Sequence, residues 1–100
     1  VDAEQIQKIA KALADPRRRE ILEMIAESQE PSGIHCGALV ERLPIAQPTV
    51  SHHIKELTNA GLIEVHSEAQ FSHLTLRTDV LNDYLDSLRS SFHVPPPKNP

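Results

Sequence analysis

In the run Gln47-Pro48-Thr49-Val50-Ser51-His52-His53-Ile54-Lys55-Glu56-Leu57, apolar and polar side chains separate into two faces at helical spacing. With Val50 set at zero and about 100 degrees of rotation per residue, Ile54 and Leu57 fall within about 40 degrees of it and mark a buried side. Pro48, His52, Lys55 and Asn59 lie opposite, with Thr49 and Ser51 on the flanks. Gln47, Thr49, Ser51 and His52 then stand at the exposed N-terminal end of the helix. These residue types suit nucleic-acid bases: glutamine pairs with adenine, hydroxyls donate to bases or phosphates, and free first-turn amides suit a phosphate. A helix that enters the major groove N-terminus first would bring these side chains to base edges. The solvated face of an ordinary helix has the same periodicity, so the surrounding elements must decide.

Those elements follow from period and punctuation. Ile6, Ile9, Ala10 and Leu13 make one apolar stripe on a first helix over Asp2 to Ala14. Asp15-Pro16 reads as an N-cap followed by a proline in the first helical position, and Ile21, Leu22 and Ile25 give the buried face of a second helix ending near Glu27. Ser28 to Gly33 is a connection. Cys36, Leu39, Val40 and Leu43 define a short third helix that runs to about Leu43 and stops before Pro44. Only Pro44, Ile45 and Ala46 separate it from the Gln47 helix, and so short a turn forces a steep crossing: a helix-turn-helix.

Gly61 closes the fourth helix, after which the period becomes two. Ile63 and Val65, then Phe71 or Leu74 with Leu76, predict a hairpin whose turn, if centred on Ala69-Gln70, sets His66 opposite His73. Thr78 is expected to cap a last helix with the stripe Leu81, Tyr84, Leu85, Leu88 and Phe92, while Asp79, Asp83 and Asp86 point elsewhere. The order is α-α-α-α-β-β-α, mainly α with a small β-hairpin. A hairpin directly behind a helix-turn-helix is a wing, so residues 1–92 are expected to form a winged helix-turn-helix and residues 93–100, with four prolines, an extended tail.

The composition narrows the field. One hundred residues limit the chain to one domain, and 27 Leu, Ile, Val and Phe are enough for a small core that leans on a partner subunit. A single cysteine, Cys36, excludes an internal disulfide and, with no apolar run long enough for a membrane and no visible signal peptide, predicts a cytoplasmic protein. Ten Lys and Arg against fourteen Asp and Glu leave a net charge of -4, which excludes a protein that grips nucleic acid by charge alone. The acids collect in Glu20 to Glu30, the hairpin and the last helix, whereas the Gln47 helix is formally neutral. No titratable pair has catalytic spacing and three glycines form no phosphate-cradling loop, so an enzyme is not expected.

Four segments carry a family resemblance. Leu39-Val40-Glu41-Arg42-Leu43, then Gln47 to Leu57, then Ala60-Gly61-Leu62-Ile63 resemble the ArsR family of bacterial repressors, and Leu13-Ala14-Asp15-Pro16-Arg17-Arg18-Arg19-Glu20-Ile21-Leu22 is similar to its second-helix entry. The resemblance implies a homodimeric winged-helix regulator of double-stranded DNA, usually a repressor, joined through its first and last helices. Ile6, Ile9, Leu13, Leu81, Tyr84, Leu85 and Leu88 are the expected interface. Gln47, Thr49, Ser51 and His52 are the expected base readers, with Lys55, Arg17 and Arg42 foremost among the phosphate contacts and Arg18 and Arg19 beside them. Half-sites of an inverted-repeat operator would lie roughly 10 base pairs, or a multiple, apart.

The chain also departs from the family. Its cysteine metal site falls on His35, Cys36 and Gly37, so both thiolates are missing and Cys36 reads as a small core residue. The Asp-x-His spacing of the last-helix metal site is absent as well. No metal and no cofactor are therefore expected, and the inducer stays unidentified. The wing carries Glu64 and Glu68 and no Lys or Arg before Arg77, which leaves a protein-interaction domain without DNA binding as the alternative.

Overall fold

A computed structural model describes residues 1–68 and 71–98. Eight elements follow in order: α1 (Ala3–Ala14), α2 (Pro16–Glu27), β1 (Ile34–His35), α3 (Cys36–Glu41), α4 (Gln47–Asn59), β2 (Ile63–Glu68), β3 (Phe71–Leu76) and α5 (Thr78–Ser91). The expected hairpin turn at Ala69-Gln70 lies outside the described residues.

Asp2 caps α1 by accepting the Gln5 amide at 2.8 Å. One residue, Asp15, then links α1 to α2. Its carboxylate accepts the Arg17 and Arg18 amides at 2.9 and 3.0 Å, and Pro16 fills the first position, where no amide is needed. Arg18 closes the junction from the other side, donating from Nε to the Ala12 carbonyl at 3.2 Å and from its terminal nitrogen to that of Lys11 at 3.0 Å. These bonds satisfy carbonyls that the end of α1 would otherwise leave orphaned. The Arg18 amide, above all, holds the Asp15 carboxyl below its usual range, with the Arg17 amide, the Arg18 guanidinium and His53 acting in the same direction against partial desolvation.

The core draws from nearly every element. Ile9, Ile21, Leu39, Val50, Leu57, Leu62 and Leu74 are the largest fully buried side chains, and no buried polar or charged residue interrupts them among the described residues. Ile9, 0% exposed, and Tyr84, 8% exposed, pack into the core of the chain itself. Ile6, Leu13, Leu81 and Leu88 are partly buried against this core, while Leu85 stays 39% exposed.

The wing is larger than a hairpin. β1 joins as a third antiparallel strand in the order β1-β3-β2, pairing Ile34 with Leu74 and His35 with His73, while β2 sets His66 opposite His73 as expected. Leu74 is the buried member of β3 and Phe71 lies outside, 48% exposed. Gly33 makes the third strand possible. At φ +94 it sits where a Cβ would stand 2.3 Å from the Leu74 carbonyl oxygen, so the connection can touch β3 backbone to backbone only without a side chain.

Two helix ends differ from expectation. α3 stops at Glu41 rather than near Leu43, because the turn into Pro44 begins earlier. Thr78 is the first residue of α5 and not its cap; Arg77 holds the cap position without a side-chain bond. Its guanidinium instead grips Asp79 with two bonds, 3.1 and 2.9 Å, and reaches Glu64 at 3.2 Å, tying β2 and β3 to α5. At the far end of α5, His93 takes φ +56 while the Val94 amide donates to the Arg89 carbonyl, a Schellman cap built without glycine.

Two consequences are measurable. Gly33→Ala should destabilise by more than about 2 kcal/mol in urea unfolding, since strain and a backbone clash combine. Gly61→Ala, also at positive φ but with the movable Gln5 amide as its one close neighbour, should cost about 1 kcal/mol. The Arg77 fork holds Asp79 down to about 2. Because that folded value lies below the unfolded carboxylate's roughly 3.9, the stabilisation is present above about pH 4 and fades as pH falls toward 2. Thermal unfolding of Asp79→Asn should be less sensitive to pH across this window than that of the unmodified chain.

Candidate nucleic-acid interface

The helix-turn-helix is α3, the turn from Arg42 to Ala46, and α4. Val50, Ile54 and Leu57 of α4 are buried, which turns Gln47, Thr49, Ser51, His52 and Lys55 outward into solvent. The four expected base readers therefore share one exposed end of one helix. No side chain caps this end: Ala46 occupies the cap position, the Thr49 and Val50 amides return to its carbonyl, and Pro48 has no amide to offer. The Gln47 amide is left facing outward, and the helix dipole adds partial positive charge where an anion would approach.

The cations are less uniform than the sequence suggests. Lys55 and Arg42 are exposed and make no ion pair among the described residues, Arg42 sitting at the C-terminal cap of α3. Arg17 is held by Glu20 at 2.7 Å and Arg19 by Glu23 at 3.3 Å, both along α2. Arg18 is committed to the α1–α2 junction and is a structural residue, a correction to its expected place among the phosphate contacts. The groove at the start of α2 is lined by Asp15, Pro16, Arg17, Arg19, Glu20 and Glu23.

His35 was legible only as a position aligned with a metal ligand. It closes β1 and caps α3, its Nδ1 accepting the Gly37 amide at 3.1 Å, a double role that a two-residue strand hides from any periodicity. Cys36 is partly buried against the core, and desolvation pushes its thiol up. Among the described residues no group of three or more His, Cys, Asp or Glu is placed to share a metal ion, and no helix is long and apolar enough to cross a membrane.

His53 lies on the inner flank of α4, with a buried Nδ1 that has no partner among the described residues. Its ring centroid is 6.1 Å from that of His52. Adjacent histidines thus divide between the two sides of the helix, one outward and one toward the junction held by Asp15.

Comparison with known proteins places this geometry. A helix-turn-helix domain family matches residues 13–66. The transcriptional repressor SdpR of Bacillus subtilis is 33% identical over 78 residues, covering 78% of this chain and 82% of the relative. The arsenical resistance operon repressor of Staphylococcus xylosus is 32% identical over 93 residues, covering 87% and 83%. In fold, a homodimeric winged helix-turn-helix DNA-binding domain from Mycobacterium bovis superposes with a TM-score of 0.68 at 22% identity, over 97% of this chain and 88% of that one.

The raised thiol has a direct test. Native protein near neutral pH should react with iodoacetamide much more slowly than the same protein in denaturant, as followed by mass spectrometry; equal rates would show that the fold does not protect the thiol.

Proposed function

The chain belongs to the ArsR family of helix-turn-helix transcriptional regulators, and from that premise we propose that it acts as a homodimeric repressor reading an inverted-repeat operator through the exposed end of α4. Members of this family are regulators and not enzymes. The observation that carries the reading is the outward set Gln47, Thr49, Ser51 and His52 on a helix whose opposite face is locked into the core. Direct readout needs donors and acceptors on a rigid support, and this helix provides both.

Backbone contacts come from Lys55 and Arg42, with Arg17 contributing if it leaves Glu20. Exposed ion pairs of that kind contribute about 0 to 1 kcal/mol, so a phosphate can displace the carboxylate at little cost. Few cations mean weak nonspecific affinity and a correspondingly large share for base contacts. Dimerisation uses the α1 and α5 side chains that the monomer leaves partly uncovered: Ile6, Leu13, Leu81, Leu85 and Leu88. The site lacks the family's paired thiolates, and regulation therefore proceeds without a cysteine metal centre at α3.

Selection of bound sequences from a random duplex library should return an inverted repeat with half-sites roughly 10 base pairs, or a multiple, apart. Against that duplex, Thr49→Ala and His52→Ala should each weaken specific binding by about 1 to 3 kcal/mol, while Lys55→Ala should weaken all sequences alike and reduce the salt slope by about 1. Leu85→Glu, at a half-exposed position the fold does not need, should sediment as a folded monomer. Recovery of no palindrome, or an unchanged dimer in the Leu85 variant, would refute the corresponding part.

A further inference from the structure

The outer face of the wing sheet carries a row of imidazoles that base reading does not use. Antiparallel register sets His35 of β1 opposite His73 of β3, and His73 opposite His66 of β2. Residues directly opposite share a face, so the three rings cross all three strands side by side, while Ile34, Leu74 and Val65 form the equivalent row on the other face. The His35 and His73 rings meet edge to face at 5.4 Å, and Phe71 tilts against His35 at 5.2 Å. Open grooves border both ends. One, of about 370 Å³, runs from Phe71 and His35 past Cys36 and Glu41 to Gln47, the first residue of α4. The other, of about 290 Å³, lies between His66, His73 and Thr75 and the connection at Pro31 and Ser32.

The ring nitrogens are not equivalent. His35 Nδ1 is fixed as the acceptor of the Gly37 amide, so a neutral His35 carries its proton on Nε2. His66 Nε2 lies 3.0 Å from Thr75 Oγ1 and 3.4 Å from Glu64 Oε2, and neither His66 Nδ1 nor the His73 ring has a hydrogen-bond partner among the described residues. The charged and titratable groups placed around the row among the described side chains are Glu64 on β2, Arg77 at the end of β3, and Cys36 and Glu41 on α3; α4 contributes the uncharged Gln47.

We propose that the His35–His73–His66 row is a phosphate-contact surface for duplex DNA, in which His73 and His66 acquire charge as pH falls while His35, its Nδ1 held by the Gly37 amide, donates from Nε2. The proposal rests on the DNA-binding reading above and adds a contact and a regulation to it. Three observations support it. The row holds the groups of the acidic wing face that can become cationic, and imidazole changes charge between about pH 5 and 8. It adjoins Gln47 through a shared groove, which sets His35 and Phe71 beside the start of α4. Neighbouring imidazolium rings repel, and a phosphate between them removes that repulsion. Phosphate binding and proton uptake are therefore coupled, and each favours the other.

The test measures polarisation of a labelled duplex by the full chain, over a salt series at about pH 8 and about pH 6. Binding should tighten at the lower pH, and the slope of log affinity against log salt should steepen by about 1 to 2 as His73 and His66 gain charge. The double variant His66→Gln, His73→Gln should lose both changes. Circular dichroism checks its fold, and if it does not fold, each single variant should lose about half of the steepening. A double variant that keeps the full acid response overturns the proposal, as does a His52→Gln variant that abolishes the response by itself. If the unmodified chain binds no duplex at either pH, the DNA-binding reading falls and the row loses its ligand with it.

Discussion

A single residue governs how this chain is put together. Asp15 is all that separates α1 from α2, so the angle between them cannot be adjusted by a flexible linker and must be fixed by bonds. The carboxylate takes the first amides of α2, and the neighbouring Arg18 takes the last carbonyls of α1, so two helix ends that would each need separate capping are satisfied at one point. α2 in turn packs on α4, and α1 reaches the end of α4 through Gln5, whose amide donates to the Ala60 carbonyl at 3.4 Å. The orientation of α4 is thus inherited from a junction well outside the helix-turn-helix.

Burial and charge play separate parts. Among the described residues the fully buried side chains are apolar, so the fold draws on hydrophobic packing and not on buried ion pairs, whose desolvation often cancels their attraction. Charge is used at joints. Arg18 and Asp15 hold one, and Arg77 with Asp79 and Glu64 holds the other, where the wing meets α5. The acidic balance therefore says little about the groove-facing surface, because many of the acids sit on α2, the wing and α5 or act as partners for arginines needed elsewhere.

Much of this was readable from residue order, and the misses share a cause. The helices, the cap at Asp15-Pro16, the left-handed Gly61 and the pairing of His66 with His73 all follow from local rules of period and punctuation. β1 does not, since two residues have no period; what creates it is Gly33 meeting Leu74, far away in sequence. The burial of Ile9 and Tyr84 within the chain was not readable, because a stripe shows which side is apolar but not what covers it. Arg18 was misassigned for a related reason: three consecutive arginines look alike until the carbonyls at the end of α1 claim one of them.

The close approach at Gly33 also determines how motion can travel. β1 ends at His35 and α3 begins at Cys36, with the His35 ring bonded into the first turn of that helix. There is no slack between them. A wing built as a plain hairpin could swing on its two stems and leave the rest of the domain at rest, like a flap on a hinge. This one is fastened along its far edge to the helix that precedes the turn, so pushing the sheet pushes α3. Any force that DNA or a ligand exerts on the wing is delivered into the helix-turn-helix itself, and the domain has no clutch with which to disengage the two.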